Sequence, residues 1–155
     1  MTDTAPAAYI LAPGEGRPID LGGFRMSVLA AGPDTDGAFS LVEAAEPPGF
    51  GPPLHIHRDA AEAFYVLEGE YLIHIDGRTT SCLAGSFVYI PAGLVHGFRV
   101  GAVASRKLNL YTPAAMIGYF DELAARPGEV DDDSFAEIAR RYSMEVVGPV
   151  PEGYL

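Results

Sequence analysis

The chain of 155 residues contains one cysteine, Cys82, and one lysine, Lys107. A single thiol excludes an internal disulfide, and a reducing cytoplasm is the natural setting for such a chain. Positive charge is scarce: 10 Lys and Arg face 21 Asp and Glu, a net charge of −11. That balance argues against nucleic acid or an anionic membrane as a partner, and it also serves solubility. No apolar run approaches the roughly 20 residues of a membrane span. The N-terminal Met1-Thr-Asp-Thr-Ala-Pro6 lacks the basic-then-apolar pattern of a signal peptide. No glycine-rich phosphate loop, no arginine pair placed for a sugar nucleotide and no helix-turn-helix segment is evident.

What is present suffices for a core. Hydrophobic residues make up 48% of the chain, and its length fits one domain over 1–155 that buries roughly two-thirds of its unfolded surface. Short alternating runs separated by Gly and Pro predict strands at Tyr9–Leu11, Phe24–Ala30, Phe39–Ala45, Glu62–Glu68, Tyr71–Asp76, Arg78–Leu83, Phe87–Ile90, Val95–Val100 and Ser105–Thr112, with a hairpin turn at Asp76-Gly77. Many short strands of this kind argue for an all-β sandwich or barrel. The period changes after Thr112. Met116, Ile117, Phe120, Leu123 and Ala124 recur at helical spacing, with Thr112 as expected N-cap, Pro113 at the first helical position and Arg126-Pro127-Gly128 as the stop. A second helix is expected from Ser134 to about Tyr142, with Asp131, Asp132 and Asp133 at its positive end. Residues 1–8 are expected to fray, and the tail from Val146 offers little.

All four histidines fall between Gly49 and His96, three of them at spacings that suit one metal ion. His55 and His57 are two apart, so in an extended strand both face one centre. Glu62 opens the next apolar run, and His96 follows the Pro91-Ala-Gly93 turn, so each can be the first polar residue of a neighbouring strand. Three imidazoles and a carboxylate suit a divalent first-row metal: nickel, iron, manganese, cobalt, copper or zinc. The proline-rich Pro47–Pro53 stretch cannot join a ladder and delivers the chain stiffly into His55. His74 is out of phase with the most apolar face of its strand and reads as a surface or subunit-contact residue.

The two stretches resemble the paired motifs of the cupin superfamily, G-x5-H-x-H-x4-E-x6-G and G-x5-P-x-G-x2-H-x3-N. Gly49, His55, His57, Glu62 and Gly69 match the first; Gly85, Pro91, Gly93 and His96 match the second, in which Val100 replaces the final Asn. The likeness covers about a third of the chain. It implies a double-stranded β-helix, a jelly-roll barrel over about 9–112, with two short C-terminal helices over about 113–145. It also implies that His55, His57, Glu62 and His96 hold one metal ion, and that the chain forms a homodimer. The helix segment Thr112-Pro-Ala-x-x-x-x-Tyr119-Phe-x-x-Leu123 is similar to that of bacterial quercetin dioxygenase-type cupins. There the metal binds the enolate oxygen of a flavonol, and dioxygen opens the ring with release of carbon monoxide.

Strand alternation places Phe64 and Val66 beside Glu62, and Phe98 and Val100 beside His96, as expected walls of an apolar pocket for a small apolar or aromatic substrate. A carboxylate in a dry pocket has a raised pKa, so Glu62 is expected to act as both ligand and catalytic base. The resemblance thus points to oxygenolytic cleavage of an enol-bearing aromatic. Other small cupins are polyketide cyclases or isomerases that use the metal as a Lewis acid, or binding proteins without turnover, and both alternatives stay open.

Overall fold

The computed structural model describes residues 5–126 and 131–149. Its strands are β1 (Arg17–Asp20), β2 (Arg25–Ala30), β3 (Ser40–Glu46), β4 (His55–His57), β5 (Ala61–Glu68), β6 (Glu70–Ile75), β7 (Arg78–Leu83), β8 (Phe87–Ile90), β9 (His96–Val100), β10 (Ser105–Thr112) and β11 (Met144–Val146), with helices α1 (Ile117–Ala124) and α2 (Asp132–Arg141). They build two antiparallel sheets, β1-β2-β3-β10-β5-β8 and β11-β4-β9-β6-β7. This is the cupin β-sandwich that the motifs imply, with two short helices after it.

Between the sheets, Phe64, Val66, Tyr71, Ile73, Phe98 and Val100 form one packed cluster. Toward the other end, Val42 and Ala44 of β3 meet Tyr119 and Phe120 of α1 and Ile138 and Ala139 of α2. The helices therefore close one end of the sandwich, and each large side chain buried there contributes about 1.5–3 kcal/mol. The two ends of the six-stranded sheet are edges. On the β8 side, Tyr65, Phe87 and Tyr89 lie on the outer face and are exposed.

Four expectations are corrected. Tyr9–Leu11 is not a strand; it is anchored by the Tyr9 hydroxyl, which donates to the Leu29 carbonyl at 2.7 Å. The first strand is Arg17–Asp20, which buries only Ile19 and carries Pro18, a residue tolerated on an edge. Thr112 does not cap a helix. It pairs with Ala61 as the last residue of β10, and its hydroxyl donates to Ala38 O at 3.0 Å. Ser40 Oγ then holds Ala115 through both its N–H and its C=O, so α1 begins only after Met116.

The segment entering the tail also has structure, since Met144–Val146 pairs with β4. Three residues carry too short an alternation to be read as a strand. The second helix starts at Asp132, two residues before the expected Ser134, with Asp131 as its cap accepting from Ser134 N–H at 2.7 Å. The expected stop at Pro127-Gly128, residues 1–4 of the segment expected to fray and the tail beyond 149 lie outside the described residues.

Gly69 joins β5 to β6 at φ 80°, and a Cβ there would stand 2.0 Å from Ser105 Oγ and 3.0 Å from Ser105 Cα. Gly77 has φ 83° but open space around it. Urea unfolding should therefore show Gly69→Ala losing about 2–4 kcal/mol, from backbone strain plus overpacking, and Gly77→Ala only about 1–2 kcal/mol.

Candidate metal centre

His55 and His57 project from β4, a strand held on both sides. β11 pairs with it through Met144↔His57 and Val146↔His55, and β9 through His55↔His96. This cross-strand pairing brings His96 beside His55, with ring centroids 4.3 Å apart. Glu62 comes from β5 in the opposite sheet and reaches across the interior. All four side chains are buried, and one ligand atom from each lies within 4.8 Å of the others.

The hydrogen bonds define which ring atoms face the centre. His55 Nδ1 lies 2.8 Å from Pro53 O and His96 Nδ1 lies 2.9 Å from Leu94 O. A carbonyl only accepts, so each Nδ1 carries a proton and each Nε2 is the ring atom turned toward the centre. Glu62 Oε2 stands 2.8 Å from His96 Nε2 and 3.0 Å from His57 Nε2. The second approach lacks hydrogen-bond geometry, which leaves His57 Nε2 a buried polar atom without a partner. Two donors each about 2.1 Å from one ion stand about 3.0–3.4 Å apart at angles of 90–110°, close to these separations. The donor set, the orphaned nitrogen and the spacing fit a divalent metal.

Two residues that spacing did not reveal complete the site. Asn109 Nδ2 donates to Glu62 Oε1 at 2.9 Å and approaches the Tyr111 hydroxyl at 3.2 Å. One carboxylate oxygen is thus tethered while the other faces the imidazoles. Both residues lie on β10, where Ser105, Lys107, Asn109 and Tyr111 all point inward. Period-two alternation was the available signal. It was obscured because the inward residues are the polar ones.

The electrostatics reverse one expectation. Burial does push the Glu62 carboxyl up, but the close approach of the His57 and His96 imidazoles to its Oε2 outweighs it and holds it well below the usual carboxylate range. Burial, reinforced by His96, pushes His55 down to about 3. For His96, burial opposes the charge, yet the Glu62 carboxylate raises it above its ordinary value. Burial and Glu62 push the Tyr111 phenol well above its usual range, so it keeps its proton.

The centre opens onto a cavity of about 230 Å³. Of the expected pocket residues, Phe98 lines this cavity, whereas Phe64, Val66 and Val100 sit in the packed cluster behind it. The remaining apolar wall includes Phe24, Phe50, Met116 and Phe120 from the flanking loop and helix. His74 is not among the converging residues; its Nδ1 lies 3.3 Å from Thr79 Oγ1.

Two measurements follow from this geometry. Asn109→Leu should weaken metal affinity about 10–100-fold, read by competition with a chelating dye, because Glu62 loses its tether. In chelator-treated protein, His55 folds with its pKa at about 3 against an ordinary 6.5, so across that window the unfolded chain binds more protons. The depressed Glu62 adds stability that is lost as pH falls below about 4.5. His96, being raised, contributes fully below about 6.5 and loses its contribution only as pH rises. The melting temperature should therefore fall from about pH 6.5 to about pH 4; a constant or rising value would contradict a neutral His55.

Comparison with known proteins agrees with the fold. The family model "Cupin domain" matches residues 42–103. Quercetin 2,3-dioxygenase of Bacillus subtilis is 30% identical over 115 residues, which cover 74% of this chain but only 34% of that protein. The chain thus spans about a third of that relative's length. Among solved structures, KdgF from Halomonas sp. superposes with a TM-score of 0.62 at 18% identity, over 69% of this chain and 94% of that one. The polyketide cyclase RemF from Streptomyces resistomycificus gives 0.61 at 23% identity, over 83% and 91%. With nine motif positions in place on a two-sheet sandwich, the chain belongs to the cupin superfamily.

Proposed function

We propose that the chain is a metal-dependent enzyme in which His55, His57, Glu62 and His96 hold one divalent transition metal, and that it cleaves an enol-bearing aromatic of flavonol type with dioxygen. The observation that carries this reading is the convergence of four buried donors on one point in the wall of a largely apolar cavity. The 30% identity to a quercetin 2,3-dioxygenase supports it. When bound, the ion supplies Lewis acidity toward a substrate oxygen and a meeting point for substrate and dioxygen.

The chain's own residues do the rest. Phe98 and the helix-borne aromatics exclude water and lie against a flat ring. Glu62 is unprotonated, and its low pKa makes it a mild base, suited to an acidic enol hydroxyl rather than a carbon acid. Asn109 orients that carboxylate. Tyr111 favours a second reading, a non-redox cyclase or isomerase, because its retained proton can form a hydrogen bond to a substrate carbonyl. The exposed Tyr65, Phe87 and Tyr89 beside an open sheet edge support pairing of two copies into a homodimer.

Purified protein should carry about one transition metal per chain by elemental analysis, and His96→Ala should lose it. Oxygen uptake with flavonols should fall about 100-fold or more in Glu62→Gln with metal retained, if Glu62 is the base. Product formed without oxygen consumption would favour the cyclase, and a chain that takes up no metal even on reconstitution would refute the mechanism.

A further inference from the structure

A second polar group lines the same cavity away from the histidines. Lys107, the chain's only lysine, has 0% of its surface exposed. Its ammonium donates to Glu46 Oε1 at 2.7 Å, and the Tyr71 hydroxyl donates to the same oxygen at 3.0 Å. Three aromatic faces surround the ammonium, with ring centroids at 4.3 Å for Phe98 and 5.2 Å for both Phe64 and Tyr71. In the β5–β10 ladder Tyr111 stands opposite Glu62 and Lys107 opposite Val66. Four residues separate those levels, about 13 Å along the strand. Lys107 and Glu46 nevertheless line the cavity that also touches His55, His57 and Glu62.

Stability does not account for this pair. Two charges withdrawn from water gain little over well-packed apolar side chains of similar volume. What the pair offers to a cavity is a donor and an acceptor 2.7 Å apart with no net charge. A ligand carboxylate would meet Lys107 favourably but face Glu46, and a ligand amine would face the reverse. In an apolar setting such like-charge contacts are costly. A neutral hydroxyl accepts from the Lys107 ammonium and donates to the Glu46 carboxylate, so it satisfies both. The rings around Lys107 and the apolar cavity walls favour an aromatic carrier for that hydroxyl.

We propose that the Lys107–Glu46 pair is a recognition site for a phenolic hydroxyl at the end of the ligand remote from the histidines, selecting neutral hydroxylated aromatics over aromatic acids. This rests on reading the cavity as the substrate site. Lys107 and Glu46 are then specificity determinants, and Tyr71 positions Glu46.

Calorimetric titration of the metal-loaded protein with three probes tests this: 2,6-dihydroxynaphthalene, 2-naphthol and 6-hydroxy-2-naphthoate. The diol should bind about tenfold more tightly than 2-naphthol, as expected for a hydrogen bond to a charged group, and more tightly than the acid. The preference should vanish in the Lys107→Met/Glu46→Gln double variant, which removes both charges together and leaves metal content unchanged.

Equal affinity for diol and 2-naphthol, tighter binding of the acid, no binding of any probe, or a preference that survives in the double variant overturns the proposal. The wild-type comparison decides by itself if the variant does not fold. Repeating the titrations after chelator treatment separates the two readings. A protein that takes up no metal undercuts the proposed reaction, while its hydroxyl preference still reports on Lys107 and Glu46.

Discussion

The contact between Glu62 and the imidazoles of His57 and His96 is the constraint around which the rest of this protein is arranged. Glu62 belongs to one sheet and the histidines to the other, so their 2.8 and 3.0 Å separations tie the two layers together. A carboxylate withdrawn from water costs several kcal/mol unless its oxygens are satisfied. Here one oxygen faces two imidazoles and the other takes a hydrogen bond from Asn109. Local features support that geometry. Pro53 O and Leu94 O orient two of the rings, β11 braces the strand carrying His55 and His57, and α1 and α2 contribute part of the cavity wall.

A second layer of organisation is the inward face of β10. A sandwich interior is ordinarily filled by aliphatic side chains, yet here Ser105, Lys107, Asn109 and Tyr111 occupy it in succession. Each has a partner on another strand or on its own: Glu70 for Ser105, Glu46 for Lys107, Glu62 for Asn109, and Asn109 for Tyr111. Pairing of this kind offsets the cost of burying polar groups and confers a defined geometry. The apolar residues expected to face the ligand, Phe64, Val66 and Val100, instead form the packing against which this polar row is held. Phe98 serves both roles, since it lines the cavity and contacts the Lys107 ammonium.

Much of the fold was legible because its signals are local. Period-two alternation located most of the strands, and Asp76-Gly77 marked its hairpin, with φ of 47° and 83°. The three acids at positions 131–133 marked the start of α2, where Asp131 turns out to be the cap. Signals failed where a local motif lost to a long-range partner. Thr112-Pro113 reads as a helix start, but Thr112 is needed in β10, and its hydroxyl goes to Ala38, 74 residues away in sequence. The short strands β1 and β11 bury too few side chains to show a period and exist because neighbouring strands offer them an edge. The Glu62 pKa was misjudged for the same reason. Burial is foreseeable from pattern, whereas the two imidazoles that overrule it arrive from the other sheet.

The amino-acid sequence by itself determined the strand-rich sandwich, the two helices after it and the identity and phase of the four converging donors, because turns, periods and His-x-His spacing act over a few residues. Only the tertiary structure decided what surrounds them. It set Asn109 against Glu62 across 47 positions and Lys107 against Glu46 across 61. Those encounters depend on the sheet order β3-β10-β5, a pairing of strands remote in sequence that no local pattern records.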